Sequence, residues 1–134
     1  MARWLMKSEP GSYGWEDLVR DGGTEWDGVR NAAARLHLKA MKLGEEAFFY
    51  HSGAERAIVG ILRIAREARP DPADPDWVSV AVEPVRPLGP VPLKTVKSDP
   101  RLARMELIRQ SRLSVAPVRE EEWAAILELA GESR

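Results

Sequence analysis

Glu46-Ala47-Phe48-Phe49-Tyr50-His51-Ser52, a turn at Gly53, and then Ala57-Ile58-Val59-Gly60-Ile61-Leu62-Arg63-Ile64 form the stretch on which the fold class turns. An aromatic run and a β-branched run on either side of a glycine turn read as two strands. Strand alternation puts Phe48, Tyr50 and Ser52 on one face, with Phe49 and His51 on the other. Gly60, inside the apolar run, predicts a bulge or a close approach of another group to the backbone.

Toward the N-terminus, Arg3 to Ser8 reads as a strand that runs into the Glu9-Pro10-Gly11 break. Trp15, Leu18 and Val19 recur at helical spacing until Asp21-Gly22-Gly23. Thr24-Glu25-Trp26 is a brief strand closed by the Asp27-Gly28 turn signal. Asn31 is a good N-cap for an Ala-rich helix, with Gly44 as its expected stop. Toward the C-terminus, the proline-rich segment 70–76 is a loop, and Trp77 to Glu83 alternates as a strand. Pro84, Pro87, Pro90 and Pro92 predict a stiff surface connection. A short helix is expected from Asp99 to Met105, a short strand at Leu113-Ser114-Val115 before Pro117, and a final helix carrying Trp123, Ile126, Leu127 and Ala130. The order β-α-β-α-β-β-β-α-β-α, with its central strands antiparallel, defines an α+β protein. The expected architecture is a curved sheet or partial barrel of about five to six strands, flanked by helices.

A chain of 134 residues fits one domain, residues 1–134. Its composition, 44% apolar and 31% charged, is globular, and the absence of cysteine excludes disulfides, thiolate metal ligands and a cysteine nucleophile. Two histidines without cysteine leave no ordinary ligand set for structural zinc, and neither a metal nor a cofactor is expected. The N-terminal residues lack the apolar run of a signal peptide, so a cytoplasmic protein is expected, as a monomer. A net charge of −1 does not by itself draw the chain onto nucleic acid. The charges are unevenly distributed, however. Arg30, Arg35, Lys39 and Lys42 share a segment without acids, and a second basic segment runs from Lys97 to Arg119. Such segments suit a few phosphates, or equally the solvated faces of ordinary elements.

Four constellations have the residue types for a site. Lys7, Ser8 and Glu9 bring a cation, a hydroxyl and a carboxylate to one strand end, suited to hydrogen-bonding a base edge or to acid–base chemistry, and also the make-up of any polar strand end. Trp26-Asp27-Gly28-Val29-Arg30-Asn31 sets a flat ring beside a tight turn and a helix N-terminus; the same residues serve as core, turn and cap. Tyr50, His51 and Ser52 end an aromatic strand, where a histidine is commonly structural. Arg109, Gln110, Arg112 and Ser114 suit phosphate or base-edge contacts, or helix capping and pairing with the acids near Glu120. Phosphate-binding glycine loops, the dinucleotide-binding glycine pattern and the Gly-x-Ser-x-Gly elbow are absent from the sequence.

In chain order, these segments resemble the EVE domain family, a branch of the PUA-like fold related to the YTH readers of methylated adenine. The resemblance rests on Trp4-Leu5-Met6-Lys7-Ser8-Glu9-Pro10, Glu25-Trp26-Asp27-Gly28-Val29-Arg30-Asn31 with Ala34-Arg35, Phe49-Tyr50-His51-Ser52, Ile58-Val59-Gly60, and Arg109-Gln110 with Arg112-Leu113-Ser114-Val115. It implies a pocket for a modified base, notably a cytosine derivative, in DNA or RNA. By that resemblance Trp26 is a wall, Lys7, Ser8 and Asn31 read the base edge, and Tyr50, His51 and Ser52 close the far side. Arg30, Arg109 and Arg112 serve phosphates or fix the pocket's shape, and Asp27 and Ser114 complete the ligand-binding set. The chain departs from the family pattern at Ala32-Ala33, which predicts a wider pocket mouth, and at Ser111 in place of glycine, a strained position if φ there must be positive.

The function expected is non-catalytic recognition of a modified nucleobase. The alternative is a PUA-like hydrolase acting on a modified nucleoside or RNA, with Lys7 and Glu9 as base and acid and Ser8 assisting. A protein-interaction domain whose aromatics are all core is a third reading, which full burial of Trp26 and Tyr50 with no cavity between them would favour.

Overall fold

The computed structural model describes residues 1–132. Six strands form one sheet in the order β2-β5-β4-β3-β1-β6. They are β1 (Arg3–Ser8), β2 (Thr24–Trp26), β3 (Glu46–His51), β4 (Ala57–Pro70), β5 (Val78–Pro92) and β6 (Val115–Val118). Five helices accompany them: α1 (Trp15–Asp21), α2 (Ala32–Ala40), α3 (Leu93–Ser98), α4 (Glu106–Arg109) and α5 (Glu120–Leu129), with a single 3-10 turn at Pro100–Leu102. The architecture is α+β, a curved PUA-like sheet flanked by helices, and strands β3, β4 and β5 are antiparallel neighbours.

The alternation of β3 separates two cores. Phe49 joins Trp4, Met6, Trp15, Trp26, Leu38 and Met41 on the face covered by α1 and α2. Phe48 and Tyr50 join Leu5, Val96, Leu107, Trp123 and Ile126 on the face covered by α3, α4 and α5. Trp123 of α5 stacks on Phe48 with ring centroids 3.9 Å apart. The Glu120-Glu121-Glu122 run begins α5, where carboxylates favour the positive helix end. Strand β1 runs parallel to β3, pairing Lys7 with Tyr50 and Ser8 with His51, which brings two of the expected site segments to one end of the sheet.

Several boundaries differ from the sequence reading. The prolines from Pro84 to Pro92 lie inside β5 and not in a surface connection; β4 likewise continues to Pro70. Beyond Val82, β5 has a neighbour on one side only, because β2 ends there, so a missing N–H is tolerable. Register shifts against β4 at Ile58/Gly60 and Ile61/Leu62 accommodate the prolines and bend the pair. By the same edge-strand logic, β6 runs through Pro117 rather than stopping before it. Helix α2 ends at Ala40, short of Gly44, because Met41 turns to an extended conformation and is buried. Where a helix was expected from Asp99 to Met105 there is only the 3-10 turn at Pro100–Leu102, flanked by α3 and α4, and the Asp99 side chain accepts from Arg101 N at 2.9 Å to cap it.

Gly60 is the close approach anticipated from sequence. A Cβ there would lie 2.6 Å from the Trp15 ring, so the indole packs directly on the β4 backbone.

Candidate functional site

Where β1 ends and the β2–α2 segment crosses it, a cavity of about 390 Å³ opens, within the ordinary range for small-ligand clefts of about 300–1,000 Å³. Lys7, Ser8, Glu9, Trp26, Asp27, Arg30 and Ser114, all singled out in the sequence, line it together with Tyr13, Thr24 and Glu25. Trp26 forms its aromatic wall. The ring is 8% exposed and stands edge-on to Phe49, with centroids 5.5 Å apart and planes at 86°. Phe49 also meets Trp15 and His51 edge-on, so the orientation of the wall is set by a close-packed aromatic cluster.

The polar rim is held as firmly. Lys7 Nζ donates to the Ser111 carbonyl at 2.9 Å, and burial lowers its pKa from the ordinary lysine value. Ser8 Oγ donates to the Tyr13 carbonyl, so its proton faces an acceptor that cannot take it as a base would. Glu25 is gripped by Arg66 through two hydrogen bonds of 2.9 and 2.6 Å, and also accepts from Ser79. Led by the Arg66 contact, these interactions hold the Glu25 carboxyl at about 2.

Asp71 supplies a support that the sequence reading missed. It lies just beyond Pro70, in a segment read only as a proline-rich loop. Its Oδ2 accepts from Gly28 N at 2.9 Å and from Arg30 Nη1 at 3.1 Å, while Oδ1 accepts from Ala73 N at 2.8 Å. These donors, the Gly28 N–H first, pull the buried carboxyl down to about 2. Gly28 adopts φ 76, a left-handed conformation suited to glycine, which turns its N–H onto Asp71. Trp77 then sits beneath two guanidinium groups, Arg30 at 5.7 Å and Arg35 at 4.7 Å. The β4–β5 loop therefore clamps the loop that follows Trp26. The spacing of 43 residues between Asp71 and Gly28 leaves no local sequence signal for such a contact.

The remaining expected residues lie elsewhere. Tyr50 and Ser52 line a neighbouring pocket, reached from the cavity across Lys7. His51 accepts from Trp15 N at Nε2 (3.0 Å) and lies 2.9 Å from Glu55 at Nδ1; this pattern places the ring proton on Nδ1 and ties β3 to the start of α1. Asn31 accepts from Ala34 N at 2.9 Å as the α2 cap and lines a separate cleft with Ala33 and Arg112. Arg109 faces away, 3.9 Å from Glu106. Ser111 has no positive φ, so serine at this position is unstrained.

A family model described as the EVE domain matches residues 2–129. The chain belongs to the EVE domain family. Human thymocyte nuclear protein 1 is 38% identical over 165 residues, covering 96% of this EVE chain and 73% of the human protein. Among solved structures, protein Atu2648 from Agrobacterium tumefaciens superposes with a TM-score of 0.96 at 40% identity, covering 98% of this chain and 94% of that one. Human THYN1, solved in complex with 5-methylcytosine-containing DNA, superposes with a TM-score of 0.89 at 36% identity over the whole of both chains.

Proposed function

We propose that this EVE domain binds DNA by receiving a modified base, a 5-substituted cytosine, in the Trp26 cavity. The observation that carries the reading is the meeting of an aromatic wall, two cations (Lys7 and Arg30) and three carboxylates (Glu9, Glu25 and Asp27) in one cleft, in a chain similar throughout to a protein solved with 5-methylcytosine DNA. A base drawn out of the duplex loses stacking worth a few kcal/mol, and an aromatic wall restores part of it. The cytosine edge presents an amino donor and carbonyl and ring-nitrogen acceptors. Asp27 is an acceptor suited to the amino group, and Lys7 and Ser114 are donors suited to the acceptors. A methyl group against the indole adds about 0.8 kcal/mol or more of apolar burial.

The alternative of hydrolysis through Lys7, Ser8 and Glu9 gains no support from the geometry. No ion pair joins Lys7 to Glu9 among the described residues, Lys7 and Ser8 both donate to backbone carbonyls, and the Glu9 carboxylate lies beside Gly53.

The test is anisotropy of duplexes with and without 5-methylcytosine, using wild type, Trp26→Phe and Asp27→Asn, with unfolding midpoints measured alongside. Asp27→Asn removes an exposed carboxylate and weakens the methylated duplex by about ten- to a hundredfold, the worth of one base-edge contact. Trp26→Phe keeps most of the core volume and loses much of the preference for the methylated duplex. Folded variants that bind methylated DNA as tightly as wild type overturn the reading.

A further inference from the structure

Beside the base cavity lies a second pocket, of about 260 Å³, whose only charged lining residues are cations: Lys7, Arg56 and Lys97. Elsewhere most guanidinium groups are neutralised, Arg35, Arg104 and Arg112 being the exceptions among the described residues. Among the described residues, ten arginines stand within 4.0 Å of a carboxylate oxygen. Lys7, Arg56 and Lys97 have no such partner among the described residues. Lys7 gives one hydrogen bond to a neutral carbonyl and stands 5.9 Å from the Tyr50 ring centroid.

The pocket is also a fixed one. Arg56 is the one described residue other than glycine with positive φ, at 45°. Such a conformation costs an ordinary side chain of order 1 kcal/mol and persists only where the surroundings impose it. Here the Arg56 carbonyl accepts from Leu93 N at 2.8 Å, tying the β3–β4 turn to the segment that carries Lys97. The charge of Arg56 reaches Tyr50, where it opposes the upward push of burial on the phenol. Ser52 and Tyr50 add polar lining. Three unpaired cations in one concavity repel one another, and an anion seated among them relieves that repulsion.

We infer that the Lys7–Arg56–Lys97 pocket seats a phosphate of the strand whose base occupies the Trp26 cavity. The strand source follows from Lys7, which lines both spaces at once; to that extent the inference rests on the proposed base site. One phosphate so held contributes to affinity and to salt dependence equally for all sequences, without reading the base.

The experiment compares wild type with the Arg56→Asn/Lys97→Gln variant, in which asparagine tolerates the left-handed conformation. Binding of methylated and unmethylated oligonucleotides is followed from low to high salt, alongside binding of free 5-methylcytidine, which has no phosphate. The variant is expected to show a salt slope smaller by about one, an unchanged ratio between the two oligonucleotides, and unchanged nucleoside binding. An unchanged slope in a folded variant overturns the inference. Saturable perturbation of the Arg56 and Lys97 amides by inorganic phosphate, with that slope unchanged, assigns the pocket to free phosphate and overturns the strand source. If the slope falls while wild type shows neither nucleoside binding nor methyl preference, the base reading fails and the phosphate seat stands.

Discussion

Asp71 shows how much of this site rests on one side chain outside the segments that line it. Its carboxylate fixes both Gly28 N and the Arg30 guanidinium, so the turn after Trp26 is held by the adjoining β4–β5 loop. Asp71→Asn keeps the shape and removes the charge. It is expected to lower stability by about 1–3 kcal/mol, the usual consequence of removing a buried charged acceptor, and to weaken methylated DNA through a looser Trp26 loop. A denaturant titration of the variant reads the first effect; a midpoint equal to wild type contradicts the role. Gly60 makes a complementary case. With the Trp15 ring 2.6 Å from where a Cβ would stand, Gly60→Ala is expected to cost about 1–3 kcal/mol through overpacking, measurable as a lower thermal midpoint. At this scale the sequence was a partial guide. Five tryptophans suggested a flat-ligand site, yet Trp4 donates to Glu45, Trp15 packs on Gly60, Trp77 lies under arginines and Trp123 stacks on Phe48. Trp26 alone lines the cavity. His51 and Asn31 carried the right residue types for a site but instead tie β3 to α1 and cap α2.

The elements were more legible than their ends. The two runs that frame the Gly53 turn became β3 and β4, and their alternation correctly divided Phe48 from Phe49 between two cores. Helices α1 and α5 and strand β1 followed directly from periodicity and turn residues. What escaped was anything decided by neighbours. Proline reads as a breaker in isolation, but β5 has an open side beyond Val82 and bulges against β4, and β6 is an edge strand. The β4–β5 loop escaped for a similar reason, since its clamp on Arg30 and Arg35 is made across the fold. That clamp predicts a measurable coupling: Trp77→Ala is expected to raise amide exchange in residues 27–31 more than in β1. Equal protection of residues 27–31 in both proteins would separate the loop from the site.

For the whole molecule, two carboxyls held near 2 make a pH prediction. Asp71 and Glu25 ordinarily titrate at 3.8 and 4.5. Their depressed values in the folded protein mean that their stabilisation is complete above about pH 4.5 and is lost as pH falls toward 2. The urea midpoint of wild type is therefore expected to drop across that window, and that of Asp71→Asn to drop less; parallel curves would contradict the contribution of Asp71. The charge layout works at the same scale. A net charge of −1 gives no general attraction to DNA, so the proposed function places binding at one cavity with an adjoining cationic pocket at one end of the sheet. The proposed localisation of DNA binding to that end of the sheet is the central claim, and titration of the ¹⁵N-labelled protein with a short duplex carrying a single 5-methylcytosine tests it most directly. The Trp26 indole and the Lys7, Ser8 and Ser114 amides are predicted to shift and saturate together, while the Trp123 indole on the opposite core stays still. Shifts centred on Arg101, Arg104 and Arg119, with Trp26 unmoved, would contradict it.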